Sequence, residues 1–143
     1  MLLRYIKIAP DAIVPTQSHD GDAGYDLYAC EPAVLTPGER MRVHTGIAVA
    51  IPHGYAGFVL PRSGLAERHG VTLANSPGLI DCGYRGELQV LLHNTDRDNN
   101  FQVGVGDRIG QLVIIRVEVP EWQEVSELEE TSRGDGGFGS SGL

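Results

Sequence analysis

The sequence predicts an all-β protein: a single-domain, jelly-roll-like β-barrel with one short helix and a mobile glycine-rich C-terminal tail. Three observations carry that reading. Nineteen of the 143 residues are glycine, about twice the usual 7%, and eight are proline; helix interiors tolerate neither. The apolar residues fall in short β-branched runs separated by turn residues. The length matches one ordinary domain and suffices for a core without disulfide staples.

The runs can be taken in order. Arg4-Tyr5-Ile6-Lys7-Ile8 alternates and stops at Pro10, as a strand does. Tyr25 to Cys30 follows a glycine-rich entry. Thr36-Pro37-Gly38-Glu39 is a turn, and Met41 to Ile51 is a β-branched strand closed by Pro52-His53-Gly54. Tyr55 to Leu60, Leu88 to Asn94 and Arg108 to Val119 are further strands, with the polar Asp96–Asn100 connection between the last two. The single helix is Ser63 to His69, with Ser63 as its N-cap and Gly70 as its stop. Such short strands with Gly/Pro turns indicate a barrel or jelly roll. Residues 1–120 form the expected β core; residues 121–143 form an acidic arm and a glycine-rich segment that cannot build core and is expected to be mobile.

Charge narrows the function. Eleven cations against nineteen acids give −8, and no dense basic run is present, which disfavours nucleic acid as a partner because duplex binding requires many neutralised phosphates. Ten of the cations are arginine, whose planar fork grips phosphate, and Lys7 is the only lysine. Cys30 and Cys82 have neither zinc spacing nor C-x-x-C spacing, so two free thiols in a cytoplasmic protein are expected. No apolar run reaches signal-peptide or membrane-span length, and no membrane partner is expected.

Five segments can carry chemistry. Arg133-Gly-Asp-Gly-Gly-Phe138-Gly139-Ser140-Ser-Gly exposes backbone N–H groups suited to an anion nest and adds one cation and one flat ring, although its composition also fits a flexible terminus. Pro61-Arg62-Ser63-Gly64 joins a strand to a helix start, a place that favours phosphate, and it equally fits a plain capped helix. In Asn75-Ser76-Pro77-Gly78-Leu79-Ile80-Asp81-Cys82-Gly83-Tyr84, Asn75 has the donor and acceptor needed to read a base edge. Asp81 stands between apolar neighbours as a candidate general base, or as a turn residue in a hairpin. Gln111 is polar within an apolar strand, either on a sheet edge or at a ligand. Asp20, Asp22 and Asp26 suit Mg²⁺ or an ordinary acidic turn.

Together and in this order, DAGYDLYA, PRSGLA, GLIDCGYRGEL, GDRIGQLV and RGDGGFGSSG resemble the five motifs of the trimeric dUTP diphosphatase family, over Asp22 to Gly142. The resemblance implies a β jelly roll and a homotrimer with composite sites at subunit interfaces. The implied reaction is Mg²⁺-assisted hydrolysis of dUTP to dUMP and pyrophosphate, which keeps uracil out of DNA and supplies dUMP for thymidylate synthesis. It further implies Asp81 as the base activating the attacking water, and Asp26 as the holder of the ion through water. Arg62, Ser63, Gly64 and Gln111 become phosphate contacts. Asn75 reads uracil with Gly78 and Ile80 beside it, and Tyr84 is a wall against a 2′-hydroxyl. Arg133, Phe138, Gly139 and Ser140 belong to a lid. A dCTP deaminase of the same superfamily would be longer and would carry an extra carboxylate near the pyrimidine. A nucleotide sensor without catalysis would not require Asp81.

Overall fold

The computed structural model describes residues 1–137; the expected lid residues Phe138, Gly139 and Ser140 lie outside them. The chain runs β1(Arg4–Lys7), β2(Tyr25–Tyr28), β3(Ala33–Leu35), β4(Arg40–Ala50), β5(Tyr55–Leu60), α1(Ser63–His69), β6(Val71–Leu73), β7(Gly78–Ile80), β8(Glu87–Asn94), β9(Phe101–Val103) and β10(Arg108–Arg116). All pairings are antiparallel, in sheets ordered β1-β4-β8-β6, β2-β10-β5-β7 and β3-β9. No helix among the described residues is long and apolar enough to cross a membrane.

Period-2 alternation builds the core. In β8, Leu88, Val90, Leu92 and Asn94 point inward and are buried, while Glu87, Gln89, Leu91 and His93 face outward. The inward row packs with Leu27, Val43, Ile47, Val59, Ile109 and Leu112 from both large sheets. Asn94 is tolerated inside because its amide donates to the carbonyls of Leu35 and Asn99, at 3.1 and 2.9 Å, and its Oδ1 accepts from the Asp96 N–H.

Two expectations change. Ser63 is the first helical residue rather than the cap. Arg62, held extended after Pro61, occupies the cap position without a side-chain bond, and its carbonyl accepts from the N–H groups of Leu65 and Ala66. Ser63 thus keeps its hydroxyl for other partners. Gln111 is on no edge: β10 lies between β2 and β5. The left-handed Gly70 ends the helix as expected, at φ 62°. Cys30 and Cys82 are free thiols.

β4 carries a bulge. His44 pairs with Gln89 and Ala48 with Glu87, so Thr45, Gly46 and Ile47 oppose Leu88 alone. Gly46 takes φ +68° there, and a Cβ would strike the methyls of Ala9 and Ala12. Thr45 Oγ1 donates to the Leu88 carbonyl at 2.6 Å, and the Glu87 carboxylate accepts from the Gly46 N–H at 2.7 Å and from His44 Nδ1 at 2.6 Å. The bond to Glu87 raises His44 above its ordinary 6.5 despite partial burial. Burial pushes Glu87 up, but its bonds to His44, Gly46 and Gln89 outweigh that and leave it below 4.5. The His44 contribution is therefore complete below pH 6.5 and is lost as pH rises through the folded value. The Glu87 contribution is complete above pH 4.5 and is lost as pH falls through its folded value. In thermal melts across pH, the Tm gap between wild type and His44→Ala is expected to be widest between pH 4.5 and 6.5 and to narrow on either side. A gap independent of pH would contradict this pairing.

Candidate active site

One rung across three strands sets the first half of the site: Asp26 on β2 pairs with Gln111 on β10, which pairs with Leu60 on β5. Two residues beyond Leu60, Arg62 turns back so that its Nε lies 3.0 Å from Asp26 Oδ1. Arg108 Nη1 lies 3.3 Å from Asp26 Oδ2, which also accepts from Ser18 Oγ at 3.0 Å. Asp26 is nearly buried, so these charge-assisted bonds hold it in one orientation. Gln111 Nε2 donates to the Pro61 carbonyl at 2.9 Å and braces the turn that presents Arg62 and Ser63. Gly24 lies beside it, where a Cβ would push the Gln111 Oε1 aside. Ser18, Asp22, Gly24, Asp26, Gln111 and the Arg62-Ser63-Gly64 turn line a cavity of about 390 Å³.

Its chemistry is mixed. Two carboxylates and one arginine line it, so a polyanion entering would meet more negative than positive side-chain charge. The oxygens of Asp22, Asp26, Ser18 and Gln111 are hard donors. Mg²⁺ is typically bound through one or two carboxylates, several waters and substrate phosphates, and this donor set fits that pattern. Among the described residues no group of three or more His, Cys, Asp or Glu could hold a metal without such help.

The second half lies elsewhere. Asn75, Ile80, Asp81 and Tyr84 line a cavity of about 300 Å³ with Arg42, Leu79 and the outward β8 residues Glu87, Gln89 and Leu91. The Asn75 amide sits against Gly78, where a Cβ would come within 3.2 Å of Nδ2. Asp81 opens a turn closed by the Tyr84 N–H on its carbonyl at 3.0 Å, and among the described residues nothing pairs with its carboxylate. Arg85 ties the turn together by donating to the carbonyls of Cys82 and Tyr84. Tyr84 folds back over Gly86, which has no Cβ to obstruct the ring, and donates its hydroxyl to the Glu87 carbonyl at 2.9 Å.

The two cavities share no lining residue. β7 pairs with β5 through Val59↔Gly78 and Gly57↔Ile80, and continuing that register sets Asp81 beside Ala56. Arg62 is six residues further along β5, roughly 20 Å at 3.3 Å per strand residue. Arg133 reaches neither cavity: its Nε donates to the Gly136 carbonyl at 3.0 Å within an exposed turn. The structure thus groups Asp26, Arg62, Ser63, Gly64 and Gln111 in one place and Asn75, Gly78, Ile80, Asp81 and Tyr84 in another. Sequence reasoning missed Ser18 and Arg108. Arg108 stood inside the GDRIGQLV motif, but only the fold shows that it meets Asp26 across the sheet.

The antiparallel β fold thus carries an oxygen-rich, arginine-bearing cavity and a separate amide- and carboxylate-lined cavity. The dUTPase family profile matches residues 10–142. The chain is 52% identical to the deoxyuridine 5′-triphosphate nucleotidohydrolase of Mycolicibacterium gilvum, with 98% of this chain and 94% of that relative covered. It is 55% identical to the enzyme of the same name from Thermobifida fusca, over 95% of this chain and 76% of the relative. Among solved structures, a point mutant of the dUTPase of Staphylococcus bacteriophage 80alpha, with dUpNHpp, superimposes with TM-score 0.93 at 31% identity, covering 99% of both chains. A point mutant of the dUTPase from the S. aureus phage phi11, described with a structural Mg(II) ion, gives TM-score 0.85 at 29% identity over 91% of this chain and 100% of that one. This chain belongs to the dUTPase family, and its sheets form the jelly roll of those neighbours.

Gly24→Ala is expected to displace the Gln111 amide from Pro61 and leave the core intact. Binding of inorganic triphosphate, followed by calorimetry, should weaken by roughly fivefold, the scale of one lost hydrogen bond of about 1 kcal/mol. Unchanged binding would contradict the role given to Gln111.

Proposed function

We propose that the protein is a dUTP diphosphatase, hydrolysing dUTP to dUMP and pyrophosphate. The observation that carries this reading is the division of the motif residues into a phosphate half and a nucleoside half on separate parts of one chain. A general base must stand within one water of the reacting atom, and successive phosphorus atoms are only a few ångströms apart. Arg62 and Asp81 of the same chain therefore do not serve one substrate. A three-fold assembly in which each site takes its phosphate half from one chain and its nucleoside half from the next satisfies both.

In that site, Arg62, Ser63, Gly64 and Gln111 hold the phosphates. Asn75 reads the uracil edge, with Gly78 and Ile80 beneath it, and the Tyr84 ring leaves no space for a 2′-hydroxyl. Asp81 takes a proton from the water whose oxygen bonds to the α-phosphorus; the bond from that phosphorus to the bridging oxygen breaks, and pyrophosphate leaves. Asp26, with Asp22 nearby, would hold Mg²⁺ through water, and the ion would supply positive charge to offset that of the phosphates. Residues 1–120 form the working core, and residues 121–143 bring Arg133, Phe138, Gly139 and Ser140 over a neighbour's nucleotide as a lid, which excludes water and completes the charge environment. The free thiols Cys30 and Cys82 accord with a reducing cytoplasm.

Asp81→Asn keeps the shape of the turn and removes the base. Turnover of dUTP should fall at least about a hundredfold, while Kd for a non-hydrolysable dUTP analogue stays near wild type. Turnover within about threefold of wild type would overturn the assignment.

A further inference from the structure

Glu87 performs none of the steps above, yet it stands at the joint between the nucleoside hairpin and the sheet. It is the first residue of β8 and directly follows the Asp81–Gly86 turn. Although it lines the nucleoside cavity, its oxygens are taken. Oε1 accepts from the Gly46 N–H at 2.7 Å, and Oε2 from His44 Nδ1 at 2.6 Å. Gln89 Nε2 stands 3.4 Å from Oε2 and 3.2 Å from His44 Nδ1. Because Nδ1 donates its hydrogen to Glu87, Gln89 can donate only to the carboxylate. A side chain so occupied and 17% exposed is anchored to β4 rather than turned to a ligand.

What the anchor holds is the backbone. The Glu87 carbonyl is the one polar partner of the Tyr84 hydroxyl among the described residues, and the ring otherwise rests on the open face of Gly86. If the Glu87 backbone shifts, the ring shifts with it. We propose that Glu87 is a positioning residue for sugar discrimination: its carboxylate clamps the start of β8 to the β4 bulge and so fixes how close the Tyr84 ring stands to C2′ of the nucleotide. This rests on the reading of Tyr84 as the wall against ribose, and it adds the bulge residues His44 and Gly46 to the device that sets specificity.

The test compares kcat/KM for dUTP and for UTP in wild type, Tyr84→Ala, Glu87→Ala, Glu87→Asp and Glu87→Gln, each assayed well below its own Tm. Tyr84→Ala and Glu87→Ala should each lower the dUTP-to-UTP ratio by about tenfold or more, the scale of steric discrimination in a pocket. Glu87→Gln should restore most of it, since its carbonyl still accepts from Gly46 and its amide donates to the other tautomer of His44. Should Glu87→Ala fail to fold, Glu87→Asp carries the test, because one methylene less cannot span to both Gly46 and His44. A wild-type ratio in the folded Ala or Asp variant, beside a collapsed ratio in Tyr84→Ala, overturns the role of Glu87 and leaves the wall intact. A wild-type ratio in Tyr84→Ala overturns the wall itself. A purely structural Glu87 would lower Tm and leave the ratio unmoved.

Discussion

The pairing of β7 with β5 constrains everything else in this molecule. Because Gly78 lies opposite Val59 and Ile80 opposite Gly57, the chain leaves the sheet at Asp81 pointing away from the end where Arg62 emerges. A strand cannot slip by one residue without turning its buried row to solvent, so this separation is locked by the same burial that forms the core. The phosphate half is locked in the same way, through the Asp26–Gln111–Leu60 rung. If one substrate is to meet both half-sites, as proposed above, they must come from different chains.

The electrostatics follow from that division. With a net charge of −8, the protein does not attract a polyanion over its whole surface. At the phosphate cavity two arginines offset one carboxylate: Arg62 and Arg108 flank the nearly buried Asp26, each close enough to neutralise it, while Asp22 leaves the lining open to a cation. A divalent ion is compatible with this arrangement because the arginines orient the carboxylate that would hold its waters. By contrast, burial first, then Glu87 and Glu31, push the Cys30 thiol up, so this half-buried cysteine is kept protonated and away from nucleophilic chemistry.

Much of this was legible in the sequence. The six longer strands and the helix announced themselves because alternation and Gly/Pro punctuation act over several residues. The three-residue strands β3, β6, β7 and β9 are too short to show a period, and only their partners define them. Ser63 had the chemistry of an N-cap, yet the extended residue at the cap position is Arg62 and Ser63 is already helical. Gln111 read as an edge or ligand residue because sequence does not show that β10 is a central strand. The order of the motifs along the chain concealed that their residues fall into two cavities. The bulge at Gly46, with its partner forty-one residues away at Glu87, had no local signature at all.

The central claim is that a site draws its halves from different chains, and subunit mixing tests it most directly. Arg62→Ala and Asp81→Asn proteins, each inactive alone, are combined under conditions of verified subunit exchange and assayed on dUTP. If each site takes Arg62 from one chain and Asp81 from its neighbour, about a quarter of the sites in an equal mixture are intact in a cyclic assembly, and activity should return toward that fraction of wild type. A mixture that exchanges subunits and stays as inactive as its components would contradict the account.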